Sequence, residues 1–162
     1  MIIDHSVDQK EYILWKYQVL KNFILTEPRF YSRNNSLTIR TISHRELTQF
    51  RDIFYVKNRK IIPSIIRDYL KDALVIAIWF MDDGNKVVQG GRLKGYHFNS
   101  QSFTYDENRT LSLHLKDLHD IESIVEKNHD GYRLAIWKKE SRLRLKELIQ
   151  PYVIKDMLYK IG

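Results

Sequence analysis

From Ala73 to Lys86 the chain reads Ala-Leu-Val-Ile-Ala-Ile-Trp-Phe-Met-Asp-Asp-Gly-Asn-Lys. The unbroken apolar run is long enough for a buried helix, and it ends on two adjacent carboxylates, a glycine and a lysine. Uncompensated charge is costly to take out of water. The C-terminal end of a helix is also already negative through its backbone dipole. The simple account of Asp82-Asp83-Gly84 is a solvated helix end followed by a turn. The apolar run before it favours a second account, in which a divalent cation compensates the acids. Two acids make an incomplete Mg²⁺ (or Mn²⁺) site, so water, backbone or phosphate oxygens are expected to complete it.

The 162 residues suffice for one ordinary domain or two small halves. Hydrophobic residues at 43% and aromatics at 12% exclude a disordered chain. Lys and Arg exceed Asp and Glu by 27 to 20, and the resulting +7 makes nucleic acid the leading partner, with an anionic membrane surface second. With no cysteine, disulfides and thiolate metal sites are excluded. No apolar run approaches the roughly 18 residues of a membrane span. The first residues lack a secretory pattern. An intracellular protein, cytoplasmic or organellar, is expected.

Tyr12, Trp15, Val19 and Phe23 recur at helical spacing, predicting a helix over 8–23 with Asp8 as its cap and Glu11 three residues on. Two alternating segments around Asn34-Asn35 predict a hairpin. A helix is predicted over 44–55, a basic connector over 57–63, and a short helix opened by Pro63. Beyond Gly84, two strand-like runs surround the turn 90–95. Residues 104–118 read as a helix, although Leu111, Leu113 and Leu115 also allow a strand. Two further runs flank the turn 128–131, and a helix over 141–149 is ended by Pro151. The class is α+β with antiparallel sheet, in two related halves of which the first is abbreviated.

Lys60 and Lys160 each precede apolar residues. They read either as solvated or snorkelling lysines or as groups that stabilise charge on a phosphate or activate water. Strand alternation puts Arg29, Tyr31 and Arg33 on one face, with Thr38 and Arg40 beside them. Lys86, Arg92, Lys94, His97, Asn99 and Gln101 gather around the second hairpin, and Arg133 joins them from the last strand pair. Such faces are usually solvated surface, but these side chains on a ribbon are also those that reach base edges in a major groove.

Ile76-Ala-Ile-Trp-Phe-Met-Asp-Asp-Gly84 resembles the second signature helix of LAGLIDADG homing endonucleases, in the subfamily whose motif runs Leu-Ala-x-Trp-Phe-Met-Asp-Asp-Gly. Val7 to Trp15, Asn58-Arg-Lys-Ile-Ile-Pro63, Asn99-Ser-Gln-Ser-Phe-Thr104 and the closing block 148–161 resemble family blocks in the same order, so the resemblance spans nearly the whole chain. It implies two similar halves packed through paired signature helices, with antiparallel sheets forming a saddle over double-stranded DNA. It implies that Asp83 binds metal, that Lys60 and Lys160 support catalysis, and that Asp82 is a neighbour rather than a ligand. No first signature motif is found, so residues 1–70 are expected to form an incomplete N-terminal half and 71–162 a complete one. An upstream segment or a second chain is expected to complete the active site. The activity implied is site-specific, metal-dependent cleavage of double-stranded DNA. The alternatives are an intron-RNA maturase or a DNA-binding relative that does not cut.

Overall fold

The chain's first residues, which carry no strand signal of their own, become a strand by pairing with a distant one. In a computed structural model describing residues 1–129 and 131–162, strand β1 (Ile2–Ser6) runs antiparallel to β3 (Ser36–Arg40), which also pairs with β2 (Arg29–Tyr31). Ile3 lies opposite Ile39, and Asp4 opposite Thr38. Helix α1 (Lys10–Val19) follows a 3-10 turn over Val7–Gln9 and packs Ile13 and Tyr17 against Ile24 and Ile39, with Ile3 and Leu37 at the margin. Asp8 does not cap this helix. The free amides of Glu11 and Tyr12 are instead taken by the Asp156 carboxylate, at 2.7 and 3.3 Å. Such an acceptor satisfies first-turn donors wherever it comes from in sequence. These elements form one compact unit, residues 1–53 with 154–158. It includes nearly all of helix α2 (Arg45–Phe54).

The second unit comprises 54–153 and 159–162, so residues 54–70 group with the segment that follows them. The basic connector is a small hairpin, β4 (Tyr55–Val56) with β5 (Arg59–Lys60). Lys57 and Asn58 turn it with φ of 47° and 67°, the left-handed pair that a two-residue hairpin turn requires. A short helix α3 (Ile66–Tyr69) precedes α4 (Ala73–Asp83), whose first turn is capped by the Asp72 carboxylate on the Leu74 amide at 2.8 Å. The four-stranded antiparallel sheet has the order β6 (Gly84–Gln89), β7 (Arg92–Phe98), β9 (Gly131–Ile136), β8 (Ile124–Asn128). Residue 130 of the expected turn at 128–131 lies outside the described residues. Helix α5 (Tyr105–His119) shows that the 104–118 segment is helical, opened by a reciprocal Thr104–Glu107 capping box. Helix α6 (Lys139–Ile149) ends before a 3-10 turn containing Pro151.

One sheet face is the core. Ile76, Ala77 and Phe80 of α4 share it with Tyr96, Phe98, Leu134 and Ile136 from the strands and with Leu115, Leu145 and Ile149 from the other helices. Gly84 makes the sharp passage from α4 into β6, where a Cβ would come within 2.4 Å of Phe80. The order β1, α1, β2, β3, α2 repeats the order β7, α5, β8, β9, α6, and the strand orders β1-β3-β2 and β7-β9-β8 correspond. Among the described residues no helix is long and apolar enough to cross a membrane.

Candidate functional site

Asp83 is the last residue of α4. Its carbonyl accepts the Asn99 amide at 2.8 Å, tying the helix end to the end of β7. The side chain is exposed and lines a recess of about 130 Å³ together with Lys60, Ile62, Trp79 and Phe103. Lys60 reaches this recess from β5, with its ammonium 5.5 Å from the centre of the Phe103 ring, within cation–π range. An acid and a base are thereby brought to one apolar-walled space from positions far apart in sequence. The recess is small and open to solvent, with room for a few waters or an ion. Among the described residues no group of three or more His, Cys, Asp or Glu side chains could hold a metal. A lone carboxylate in such a place has the chemistry of a partial site for a hard ion, one that keeps water and takes its remaining oxygens from phosphate.

Lys160 serves the same helix end differently. Its ammonium donates to the carbonyls of Met81 at 2.5 Å and Asp82 at 3.2 Å. A cation on the last carbonyls of a helix satisfies unpaired acceptors and offsets the negative dipole end. Part of the compensation that the acidic helix terminus demands therefore comes from the chain itself.

The sheet faces remote from the helices carry the remaining expected side chains. In the first unit Arg29, Thr38 and Asp4 lie in one cross-strand row, Arg40 and Tyr31 in the flanking rows, so all share a face. Arg29, Tyr31 and Arg40 are exposed, and with Thr38 they line a concavity of about 350 Å³. Thr38 donates to Asp4 at 2.7 Å, and the bonds from Thr38 and Ser36 hold the Asp4 carboxyl below its usual range. Arg33 is exposed in the hairpin turn.

In the second unit Asn85, His97, Ala135 and Ile124 form one cross-strand row. Arg92, Lys94 and Asn99 are exposed and Gln101 is half-buried, with Asn99 donating to Asn85 at 3.0 Å. Two expectations need correction. Lys86 stands opposite Tyr96, a core residue, so alternation turns it to the helix side rather than beside His97. His97 is not a surface side chain: it is only 5% exposed, covered by Trp137 at a ring separation of 5.2 Å. Gly95 makes room for that indole, since a Cβ there would approach it to 2.5 Å. Burial first, and then the Arg133 charge, push the His97 pKa below its usual value, while Glu126 opposes them. One oxygen of Glu126 accepts from Arg133 Nε at 2.7 Å and lies 2.6 Å from its Nη2. The same oxygen is 3.3 Å from His97 Nε2 without hydrogen-bond alignment. His97 and Arg133 stand out in the sequence, but Glu126 and Trp137 do not, because their roles depend on the pairing of β7, β8 and β9.

A model of the family described as LAGLIDADG DNA endonuclease matches residues 1–143. The chain belongs to that family. Among relatives of this LAGLIDADG chain, the cytochrome b mRNA maturase bI2 of Saccharomyces cerevisiae is 33% identical over 118 residues, covering 67% of this chain and 26% of the maturase. The probable intron-encoded endonuclease 1 of Wickerhamomyces canadensis is 26% identical, covering 94% of this chain and 69% of that protein. The chain thus spans about a quarter of the first and about two thirds of the second. The solved structure of the homing endonuclease I-WcaI bound to its DNA recognition sequence superposes with a TM-score of 0.88 at 20% identity, covering 99% of this chain and 74% of that one. At that identity the likeness establishes the LAGLIDADG homing-endonuclease fold.

Proposed function

We propose that this chain is a site-specific, divalent-metal-dependent endonuclease of the homing type that hydrolyses phosphodiester bonds of double-stranded DNA. The observation that carries the reading is Asp83 and Lys60 at one recess, at the acidic end of α4, in a chain of this family. DNA enters as the partner through the +7 charge and the arginine-bearing sheet faces. The relatives named as intron-encoded endonucleases support the same reading.

A hard divalent ion such as Mg²⁺ or Mn²⁺, when bound, would polarise the scissile phosphate and lower the pKa of a coordinated water. Asp83 would hold that ion by its carboxylate. Lys60 would place positive charge beside the phosphate oxygens, at a recess walled in part by Trp79 and Phe103. Lys160 would act one step back, by fixing the end of α4 from which Asp83 projects. A paired-metal arrangement would take its second carboxylate from a segment or chain outside these residues, the second unit then serving as one complete half of the active protein.

Arg29, Arg33, Arg40 and Tyr31 from one unit, and Arg92, Lys94, Asn99, Gln101 and Arg133 from the other, would contact phosphates and base edges. The test is cleavage, with Mg²⁺ present, of duplex DNA carrying the encoding gene without its intron, beside a randomised duplex pool whose cut products are sequenced. Defined cuts are expected, and no cutting of either substrate would sink the reading. The maturase named among the relatives favours one second reading, binding of intron RNA in splicing. Tight binding of the intron transcript with no cleavage of either DNA would select it.

A further inference from the structure

The hairpin that carries Lys60 has little of its own to hold it in place. Tyr55, Val56, Lys57, Asn58 and Arg59 are all exposed, and β4 and β5 pair over two residues each. A two-stranded ribbon of that size is marginal in water. Its position is taken instead from the start of α5. The Glu107 carboxylate accepts from both ends of the Arg59 guanidinium, at 2.9 and 3.2 Å, a two-bond geometry that fixes direction as well as distance. Oxygen Oε1 also accepts the Ile62 amide at 3.3 Å, and Oε2 accepts the Thr104 amide at 2.8 Å. Lys60 lies in the chain between the two residues so held, and Phe103, whose ring its ammonium approaches, directly precedes the Thr104 cap.

From this geometry we infer that Glu107 is a positioning residue for Lys60, gripping the chain on either side of it and setting where its ammonium stands in the recess shared with Asp83. The inference rests on the nuclease reading for its consequence and on the hydrogen bonds alone for its geometry. Burial would raise the Glu107 carboxyl, but the bonds from Arg59, Thr104 and Ile62 outweigh it and hold the group down at about 2. The grip is therefore ionised at every working pH. A plain capping role would explain the Thr104 bonds but neither the Arg59 fork nor the Ile62 bond, both of which come from outside the helix.

The experiment compares single-turnover cleavage and DNA affinity for wild type, Glu107→Gln, Lys60→Met, the double variant and Thr104→Ala, which weakens the cap but leaves the Arg59 and Ile62 bonds. Glu107→Gln is expected to slow cleavage about tenfold to a hundredfold, the size of a misplaced catalytic group, with Kd changed less than about twofold. In the Lys60→Met background the same change should cost less than about twofold, because the group it positions is gone. Multiplicative losses, or an equal loss in Thr104→Ala, would overturn the inference. If the wild-type protein cuts nothing, the nuclease reading fails separately, and NMR decides the geometry. The Phe103 ring, whose centre lies 5.5 Å from the Lys60 ammonium, is expected to shift the Lys60 ε-methylene resonances upfield in the wild type. That shift should vanish in Glu107→Gln and persist in Thr104→Ala, and its persistence in Glu107→Gln would overturn the grip.

Discussion

The two units share a strand order but hold some of their strand arginines differently, although Arg92 and Lys94 of the second are exposed as well. On the open face of the first unit, Arg29 and Arg40 are exposed, and among the described residues neither is in an ion pair. The one acid in their cross-strand rows, Asp4, is occupied by Thr38. On the open face of the second unit, Arg133 is tied to Glu126, His97 is buried beneath Trp137, and Asn85 and Asn99 bond each other. An uncommitted guanidinium attracts phosphate at long range and loses strength in salt. A guanidinium locked by a carboxylate gives up attraction but keeps its orientation, which is what discrimination between bases needs. The acid and lysine recess belongs to the second unit, so on the proposed reading that unit carries both chemistry and part of the binding.

The largest expected effect breaks chemistry from binding. Asp83→Asn should lower cleavage by more than about a hundredfold while leaving DNA affinity within about twofold, as read by gel shift in Ca²⁺ and cleavage in Mg²⁺. Next, Arg29→Ala and Arg40→Ala should each weaken binding by about 1 kcal/mol and reduce the slope of log K against log salt by about 0.9, with single-turnover cleavage at saturation unchanged. Unchanged salt slopes would remove the electrostatic contrast between the faces.

Glu126→Ala should convert the second face toward the character of the first. Overall affinity should rise by less than about 1 kcal/mol, while selection from a randomised duplex pool loses preference at one position. Should discrimination survive intact, Arg133 is not oriented by this pair. The smallest effect is in stability. A pKa pushed below 6.5 means that the unfolded chain binds a proton at His97 before the folded one does. The stability contributed by neutral His97 is therefore fully present above pH 6.5 and lost as pH falls from there through its folded value. His97→Phe should flatten thermal stability below pH 6.5, and an unaltered pH profile would show that the buried imidazole carries no such linkage.

The elements with a strong local pattern were legible from the residues: α1, α4, α5, α6 and the hairpins around 34–35 and 90–95, although β7 already begins at Arg92 and leaves the second turn shorter than expected. The role of Glu107 was not legible, because Arg59 and Ile62 meet it only after the hairpin has folded back. The strand at Ile2–Ser6, the Asp156 cap on α1 and the Lys160 bonds to α4 depend likewise on partners far along the chain.

Sequence alone determined that an apolar helix ends in acid beside glycine, that the chain is basic, and that its order of blocks is that of the LAGLIDADG family. Those are properties of neighbouring residues and of composition, and they survive unfolding. Tertiary structure decided which lysine stands at the acid, which one closes the helix, that His97 is covered, and that Arg133 is held while Arg29 and Arg40 are open. Each of those depends on strand register and on hydrogen bonds between distant residues, and a shift of one residue in pairing would reverse the face each side chain presents.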